Sequence, residues 1–287
     1  MAKLNMLSRI GVIGLGNMGS IIAGRLANMP KEYSVIAYDK DKKKNQDTGL
    51  VKVAEGLPSL ANNSDVIIIA VKPQDIGGLL KELRNLTDNK IIISIAAGIS
   101  TKHIERFLNK ARVIRSMPNI AVKIGESVTC ISKGASAQED DLDFAKEIFS
   151  SFGGVLFIEE EMMDAATAIS GSGPGYIFYF IESSGIDYKD IPEAPKQGLM
   201  KRLEKAAQVL GFNKEDATFL AVNTVNASIL LLKETGLNPE ELRAQVTSKG
   251  GTTEAGLKVL IKGGSWEEAA LAALKRAKEL AGKEQYA

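Results

Sequence analysis

The stretch GLGNMG, Gly14 to Gly19, carries three glycines at the spacing that lets a backbone wrap a pyrophosphate. Gly14 permits a tight turn out of the preceding RIGVI run, Gly16 lets the main chain approach the phosphates, and Gly19 lets the following helix pack closely on a strand. Leu15, Asn17 and Met18 complete the loop, and the helix that opens there presents unpaired N–H groups to an anion. Asp39 stands about 20 residues beyond Gly19, where an acid meets an adenosine ribose. The chemistry implied is that of a bound dinucleotide, and further ligand contacts, lining one crevice, should come from the ends of other strands. AVKPQD supplies Ala70, Val71, Lys72 and Pro73, SIAAG supplies Ala96, Ala97 and Gly98, and SMPN supplies Asn119. The small residues of SIAAG would let a flat nicotinamide lie close to the main chain; read without a ligand, each of these loops is merely shaped for packing.

Two further glycine-rich stretches lie late in the chain. In SKGGTTEAGL, Ser248 to Leu257, Gly250 and Gly251 would supply amide donors and Ser248, Thr252 and Thr253 hydroxyls at a helix start, a cradle suited to a carboxylate. The plainer reading of this loop is a helix cap. SGSGPGY, Ser170 to Tyr176, fits an active-site turn or a close helix crossing. Other conspicuous residues read as structural: His103 on a solvated helix face, Cys130 as a small core residue in a strand, Trp266 as packing at a helix start, and Glu159–Glu161 as a solvated turn.

The elements that position these residues follow from periodicity. Runs such as RIGVI, SVIAY, DVIIIAV, KIIIS and ARVIRSM are continuously apolar, as buried parallel strands must be, and amphipathic segments such as MGSIIAGRLANM and IGGLLKELRNL separate them. This predicts a doubly wound parallel α/β sheet over residues 1–162, ending with a helix near Ala137–Ser151 and a strand near Val155–Ile158. Residues 163–287 read as all-helical, with segments at Leu203–Leu210, Ala217–Lys233 and Glu267–Ala281. Apolar residues on more than one face of Ala221–Leu232 exceed what so small a helical layer can bury, which predicts a homodimer or an assembly of dimers.

Composition excludes several classes. With 45% hydrophobic and 25% charged residues the chain is an ordinary folded protein, and 36 Lys and Arg against 35 Asp and Glu leave no field to draw it onto nucleic acid or an anionic membrane. One Cys and one His make neither an intrachain disulfide nor a Cys/His zinc site, so no metal is expected. The absence of an apolar leader core and of any membrane-length apolar run gives the expectation of a cytoplasmic protein.

Taken in order, GLGNMG, AVKP, SIAAG, RSMPN, SGSGPGY and TSKGGTTEAGL resemble the pyrroline-5-carboxylate reductase family over nearly the whole chain. The resemblance implies a Rossmann domain followed by a helical domain that pairs two subunits, NADPH or NADH as coenzyme, and reduction of a cyclic imino acid to proline. It further implies that Gly14–Gly19 and Ala70–Pro73 hold the coenzyme, while Asn119 and the Ser248–Thr253 loop face the substrate. Thr253 is then the candidate hydroxyl near the imine nitrogen. The chain departs from the family pattern at Gly175, usually Ala, at Lys249, often Pro, and at Ser183–Met200, an insertion whose Gly185, Pro192, Pro195 and Gly198 rule out one continuous helix.

Two rivals are distinguishable. A 3-hydroxyacid dehydrogenase or related imine reductase also joins a Rossmann domain to helices, but the dehydrogenase's lysine after G-S-G falls here on Ile177, which cannot polarise a carbonyl. A non-catalytic module sensing reduced coenzyme would need no carboxylate cradle in its second half.

Overall fold

The computed structural model describes residues 9–29, 33–45, 48–49 and 51–284. The N-terminal stretch read for a leader falls mostly outside them.

Continuous apolar runs do form the sheet. Its eight strands, β1 (Arg9–Ile13), β2 (Ser34–Tyr38), β3 (Lys52–Val53), β4 (Val66–Ile69), β5 (Ile91–Ser94), β6 (Arg112–Met117), β7 (Ser127–Lys133) and β8 (Gly153–Phe157), lie in the order 3-2-1-4-5-6-7-8. Val66 to Ile69 and Ile91 to Ile93 have no exposed surface, because helices cover both faces. Pairing is parallel from β3 through β6, antiparallel between β6 and β7, and parallel again between β7 and β8. Strand order reverses at β1, between β2 and β4, and the crevice at such a switch point is where open α/β sheets bind ligands.

The helices of this half are α1 (Asn17–Ala27), α2 (Leu57–Asn62), α3 (Pro73–Leu83), α4 (Thr101–Phe107) and α5 (Glu139–Ser150). From Met163 onward the described elements are helical: α6 (Met163–Ala166), a π-turn at Thr167–Gly171, α7 (Gly173–Ser184), α8 (Glu193–Val209), α9 (Lys214–Thr235), α10 (Pro239–Val246), α11 (Thr252–Ile261) and α12 (Trp266–Glu284). The insertion is resolved into three parts: the end of α7, a turn opening at left-handed Gly185 (φ +67°), and the first two turns of α8. Pro195 fits inside α8 because it falls in the first turn, where the missing N–H leaves no bond unmade.

Three expectations need correction. The apolar residues of Ala221–Leu232 are covered within the chain: Ala221, Val225, Leu231 and Leu232 are buried, and α9 packs against α7, α8, β7 and the 3₁₀ turn Ile120–Ile124. The surface-excess argument for a partner therefore does not hold, although homo-oligomerisation has independent support below. His103 does not face solvent; it is 8% exposed and lies against the Phe107 ring, with 5.4 Å between centroids. Within Glu159–Glu161, Glu160 is no solvated turn residue. Its Oε1 accepts from the buried Arg115 guanidinium at 3.0 Å and from the Thr101 N–H at 3.2 Å, and its Oε2 accepts from Ser132 Oγ at 2.6 Å. Arg115 also pairs with Asp164 at 3.4 Å, which ties β6 to the start of the helical half. Cys130 and Trp266 are buried as expected, the indole meeting Tyr176 edge-on at 6.0 Å. Among the described residues no helix is long and apolar enough to cross a membrane.

Candidate active site

Two cavities flank the glycine loop. The larger, about 530 Å³, opens at the switch point and is lined by Gly14, Gly16, Asp39, Lys40, Lys44, Ala70, Val71 and Lys72, among others. The smaller, about 310 Å³, begins at Asn17 and Met18, on the far side of the loop, and reaches Asn119, Ser248, Thr252 and Thr253. A molecule that spans Gly14–Gly19 touches both.

The loop's glycines do distinct work. At Gly14 φ is +98°, and a Cβ would sit 2.8 Å from the Ala70 carbonyl oxygen, so both conformation and space require glycine. At Gly19 a Cβ would lie 1.9 Å from the Gly14 carbonyl oxygen, so α1 crosses the turn at a separation that admits no side chain. At Gly16 a Cβ would meet nothing within 4 Å. Open space in front of an uncapped helix start is what an incoming phosphate needs. Asp39 is 7% exposed at the end of β2, where its Oδ2 accepts from the Leu15 N–H at 2.7 Å and its Oδ1 from the Asp41 N–H at 2.9 Å. The acid thus braces the glycine loop as well as lining the larger cavity. Lys44 lies 3.5 Å from Asp39, and Lys40 pairs with Asp75 at 2.5 Å.

In the smaller cavity Asn119 is held in one orientation. Its Oδ1 accepts from the Ala121 and Val128 N–H groups at 3.1 and 3.3 Å, which leaves the buried Nδ2 as a donor with no protein partner. Such an amide is aimed at a ligand or costs stability for nothing. Thr252 and Thr253 line this cavity, and their hydroxyls meet that of Ser172, which is fully buried. Ser172 Oγ and Thr252 Oγ1 are 3.0 Å apart, and Thr253 Oγ1 donates to Ser172 Oγ at 3.3 Å. Gly175 permits this approach, since a Cβ on it would come within 2.5 Å of Thr253 Cγ2.

Not every expected residue takes its expected place. Ala96 is buried in the core, and Gly98 sits beneath α12, where a Cβ would lie 3.3 Å from the Ala281 nitrogen. Neither they nor Ala97 line either cavity, and Ile95 lines the smaller one instead. Pro73 serves as the first residue of α3. The Gly250 and Gly251 amides are not open donors: Gly250 N–H donates to Glu254 Oε2 at 2.5 Å and Gly251 N–H to the Ser248 carbonyl at 2.9 Å. The left-handed Gly250 (φ +71°) closes the loop on itself, so the cradle reduces to the first turn of α11, which no side chain caps, and the hydroxyls. Glu254, in accepting that amide and pairing with Lys258, has its carboxyl held below the usual range. The sequence does not single out Lys123 and Gln245, which line the smaller cavity, or Ser172, which bonds the Thr252 and Thr253 hydroxyls; Lys123 is visible only as a lone cation in the apolar run after Asn119.

Comparison with known proteins is consistent along the chain. Residues 160–185 and 197–280 match the family described as pyrroline-5-carboxylate reductase dimerisation, and the break falls inside the insertion. Residues 9–98 match the family described as NADP oxidoreductase, coenzyme F420-dependent. The chain is 36% identical to pyrroline-5-carboxylate reductase of Aquifex aeolicus, covering 91% of each chain. It is 35% identical to that of Methanosarcina acetivorans, covering 95% of this chain and 97% of the relative. The crystal structure of Plasmodium falciparum pyrroline carboxylate reductase with NADP bound superposes with a TM-score of 0.63 at 28% identity, covering 95% and 98% of the two chains.

Proposed function

The chain belongs to the pyrroline-5-carboxylate reductase family, and we infer from this together with its site that it reduces 1-pyrroline-5-carboxylate to proline with NAD(P)H. The observation that carries the reading is the smaller cavity, where the glycine loop of the coenzyme half meets Thr252 and Thr253 of the helical half, whose hydroxyls bond the buried Ser172 Oγ. The helical half matches the family's dimerisation region, and the protein is a homo-oligomer.

The residues present fit the coenzyme: Gly16 leaves room for a phosphate before an uncapped helix start, and Asp39 lines the cavity beside it. In our reading Gly14–Gly19, Asp39 and Ala70–Lys72 hold it, with Lys40 and Lys44 placed to meet a 2′-phosphate. When bound, the reduced nicotinamide supplies the hydride for the C=N carbon. The protein's part is to seat the imine ring, orient it and exclude water, since an iminium is already electrophilic and needs no lysine or histidine to activate it. In our reading Thr253, 5% exposed, sets its hydroxyl beside the imine nitrogen; that hydroxyl donates to Ser172 Oγ, which also bonds Thr252 Oγ1. Ile177 is fully buried in α7, so the position of the dehydrogenase lysine carries no acid–base group. We divide the chain into a coenzyme domain at 1–162 and a substrate and dimerisation domain at 163–287, and we place it in a reducing cytoplasm, which suits its single buried thiol. Following NAD(P)H absorbance with pyrroline-5-carboxylate tests the activity. No oxidation with this imine, but oxidation or reduction of 3-hydroxyacid and 3-oxoacid pairs, defeats the reading.

A further inference from the structure

The cradle at the start of α11 follows a turn whose own sequence does not lock it. The Gly251 N–H donates to the Ser248 carbonyl at 2.9 Å, which closes a four-residue turn over Ser248–Gly251. Gly250, at the third position, has a φ of +71°, and Lys249, at the second, keeps a negative φ. This is the type II arrangement, in which proline at the second position presets the backbone and lysine leaves it free. The turn is held from outside instead. Glu254 Oε2 accepts from the Gly250 N–H at 2.5 Å, and Arg276 of α12 donates through Nε to the Gly250 carbonyl at 2.6 Å. Two charged side chains thus grip the donor and the acceptor of one glycine.

Glu254 is the third residue of α11, where a glutamate ordinarily reaches back to the amide of the N-cap residue. The N-cap here is Gly251, whose amide already serves the turn, so the carboxylate reaches one residue further. Glycine also brings no side-chain oxygen to the helix start, which leaves the first-turn N–H groups open to a ligand. Ser248, Thr252 and Thr253 line the smaller cavity, as does Asn119 with its unpartnered amide, whereas Gly250 and Glu254 do not. The Glu254 bond therefore lies outside the space that a ligand fills. We propose that Glu254 is a positioning residue: it fixes the Ser248–Gly251 turn and so sets the open first turn of α11, with the Thr252 and Thr253 hydroxyls, in place for the imine. This rests on the function inferred above and extends it to a side chain that does not touch the substrate. Lys258, 3.3 Å from Glu254 Oε1, offsets the carboxylate's charge toward an anionic substrate.

Steady-state kinetics of the full-length protein with pyrroline-5-carboxylate and NADPH read the imine and coenzyme constants separately. Glu254→Ala should raise KM for the imine about three- to tenfold, the loss expected for one charge-assisted hydrogen bond on a part-exposed group, with kcat changed much less and the coenzyme KM unmoved. Glu254→Gln, which keeps an acceptor oxygen, should recover most of the loss. Lys258→Met, which removes only an exposed ion pair, should leave the imine KM within about twofold. Adding Lys249→Pro to Glu254→Ala should bring the imine KM back toward the parent value. Proline supplies the lost restraint, and among the described residues nothing accepts from the Lys249 N–H that it removes. An unchanged imine KM in Glu254→Ala overturns the proposal, as does a lowered one, which would mean that the carboxylate competes with substrate. Equal rises in both KM values, a Gln variant no better than Ala, a Lys258→Met variant as impaired as Glu254→Ala, or a double variant without recovery overturn it as well. Hydrogen exchange at the Gly250 amide reads the same contact without turnover: it should quicken about threefold or more in Glu254→Ala and stay near the parent rate in Glu254→Gln. Unchanged exchange in Glu254→Ala overturns the proposal whatever the activity, whereas a parent that reduces no imine defeats the inferred function itself.

Discussion

Gly16 and Gly19 are three residues apart in one motif, yet the structure assigns them opposite liabilities. Alanine at Gly16 meets no atom within 4 Å, and its φ of −73° is one that any residue adopts. Replacing a glycine cap by alanine and stiffening the unfolded chain are opposed effects of under about 1 kcal/mol each. At roughly 2–4 °C per kcal/mol, the melting temperature of the apoprotein should stay within ~4 °C of the parent. The coenzyme should suffer instead, because the methyl group fills the space reserved for the pyrophosphate. Loss of one or two charge-assisted hydrogen bonds there corresponds to about ten- to a hundredfold in Kd. Alanine at Gly19 meets the Gly14 carbonyl oxygen at 1.9 Å, and main chain cannot yield as a side chain does. Overpacking of this kind costs about 1–3 kcal/mol, or roughly 2–12 °C. Thermal shift measured with and without NADPH separates the two, since a ligand that binds only the folded state raises the midpoint in proportion to ln(1 + [L]/Kd). A Gly16→Ala variant that keeps the parent's NADPH-induced shift would refute the path of the pyrophosphate over this residue.

Thr253→Ala should lower catalytic efficiency by about 1.5–3 kcal/mol, and Gly175→Ala should lower kcat by displacing Thr253 rather than removing it; a parent-like rate in Thr253→Ala would leave the loop a helix start and nothing more. Asp39→Ser should shift the ratio of specificity constants toward NADPH, and Lys40→Ala toward NADH, each modestly because Lys40 is exposed; an unmoved ratio in the first variant means that the acid serves only the Leu15 N–H. Cys130 has no exposed surface and burial pushes its thiol up to about 12, so thiol reagents should label the protein only on unfolding, and prompt labelling of the native protein contradicts its place in the core.

The parts of the fold that were legible in the sequence are those whose physics is local. Val66–Ile69 and Ile91–Ile93 are apolar without interruption because both faces of the sheet are covered, and the glycine loop is recognisable because each of its glycines answers a constraint within a few residues or on the adjacent strand. What was not legible depends on partners distant in sequence. His103 has charged neighbours in the chain but a buried ring, and Glu160 looks like a solvated turn until β6 brings Arg115 beside it. The cradle was misjudged for a related reason. Type and spacing make Gly250 and Gly251 look like donors, but Glu254, four residues beyond Gly250, and the Ser248 carbonyl satisfy them first. A free amide is a property of the closed loop, not of its glycines.

The insertion illustrates how a chain can change its packing without changing its site. It lies between the two halves of the hydroxyl cluster in sequence, after Ser172 and before Thr252, yet the cluster closes because α7 keeps its first turns and α11 packs on it through Tyr176 and Gly256, where a Cβ would lie 2.3 Å from the phenol oxygen. The added residues act on the other side. Leu199, 1% exposed in the second turn of α8, joins the core of the helical half, and Tyr188 and Ile191 pack at its edge. α9 itself packs on α8 and α7 within the chain. Large apolar side chains that remain exposed in the helical half, Val209, Ile261 and Leu271, lie instead on α8, α11 and α12.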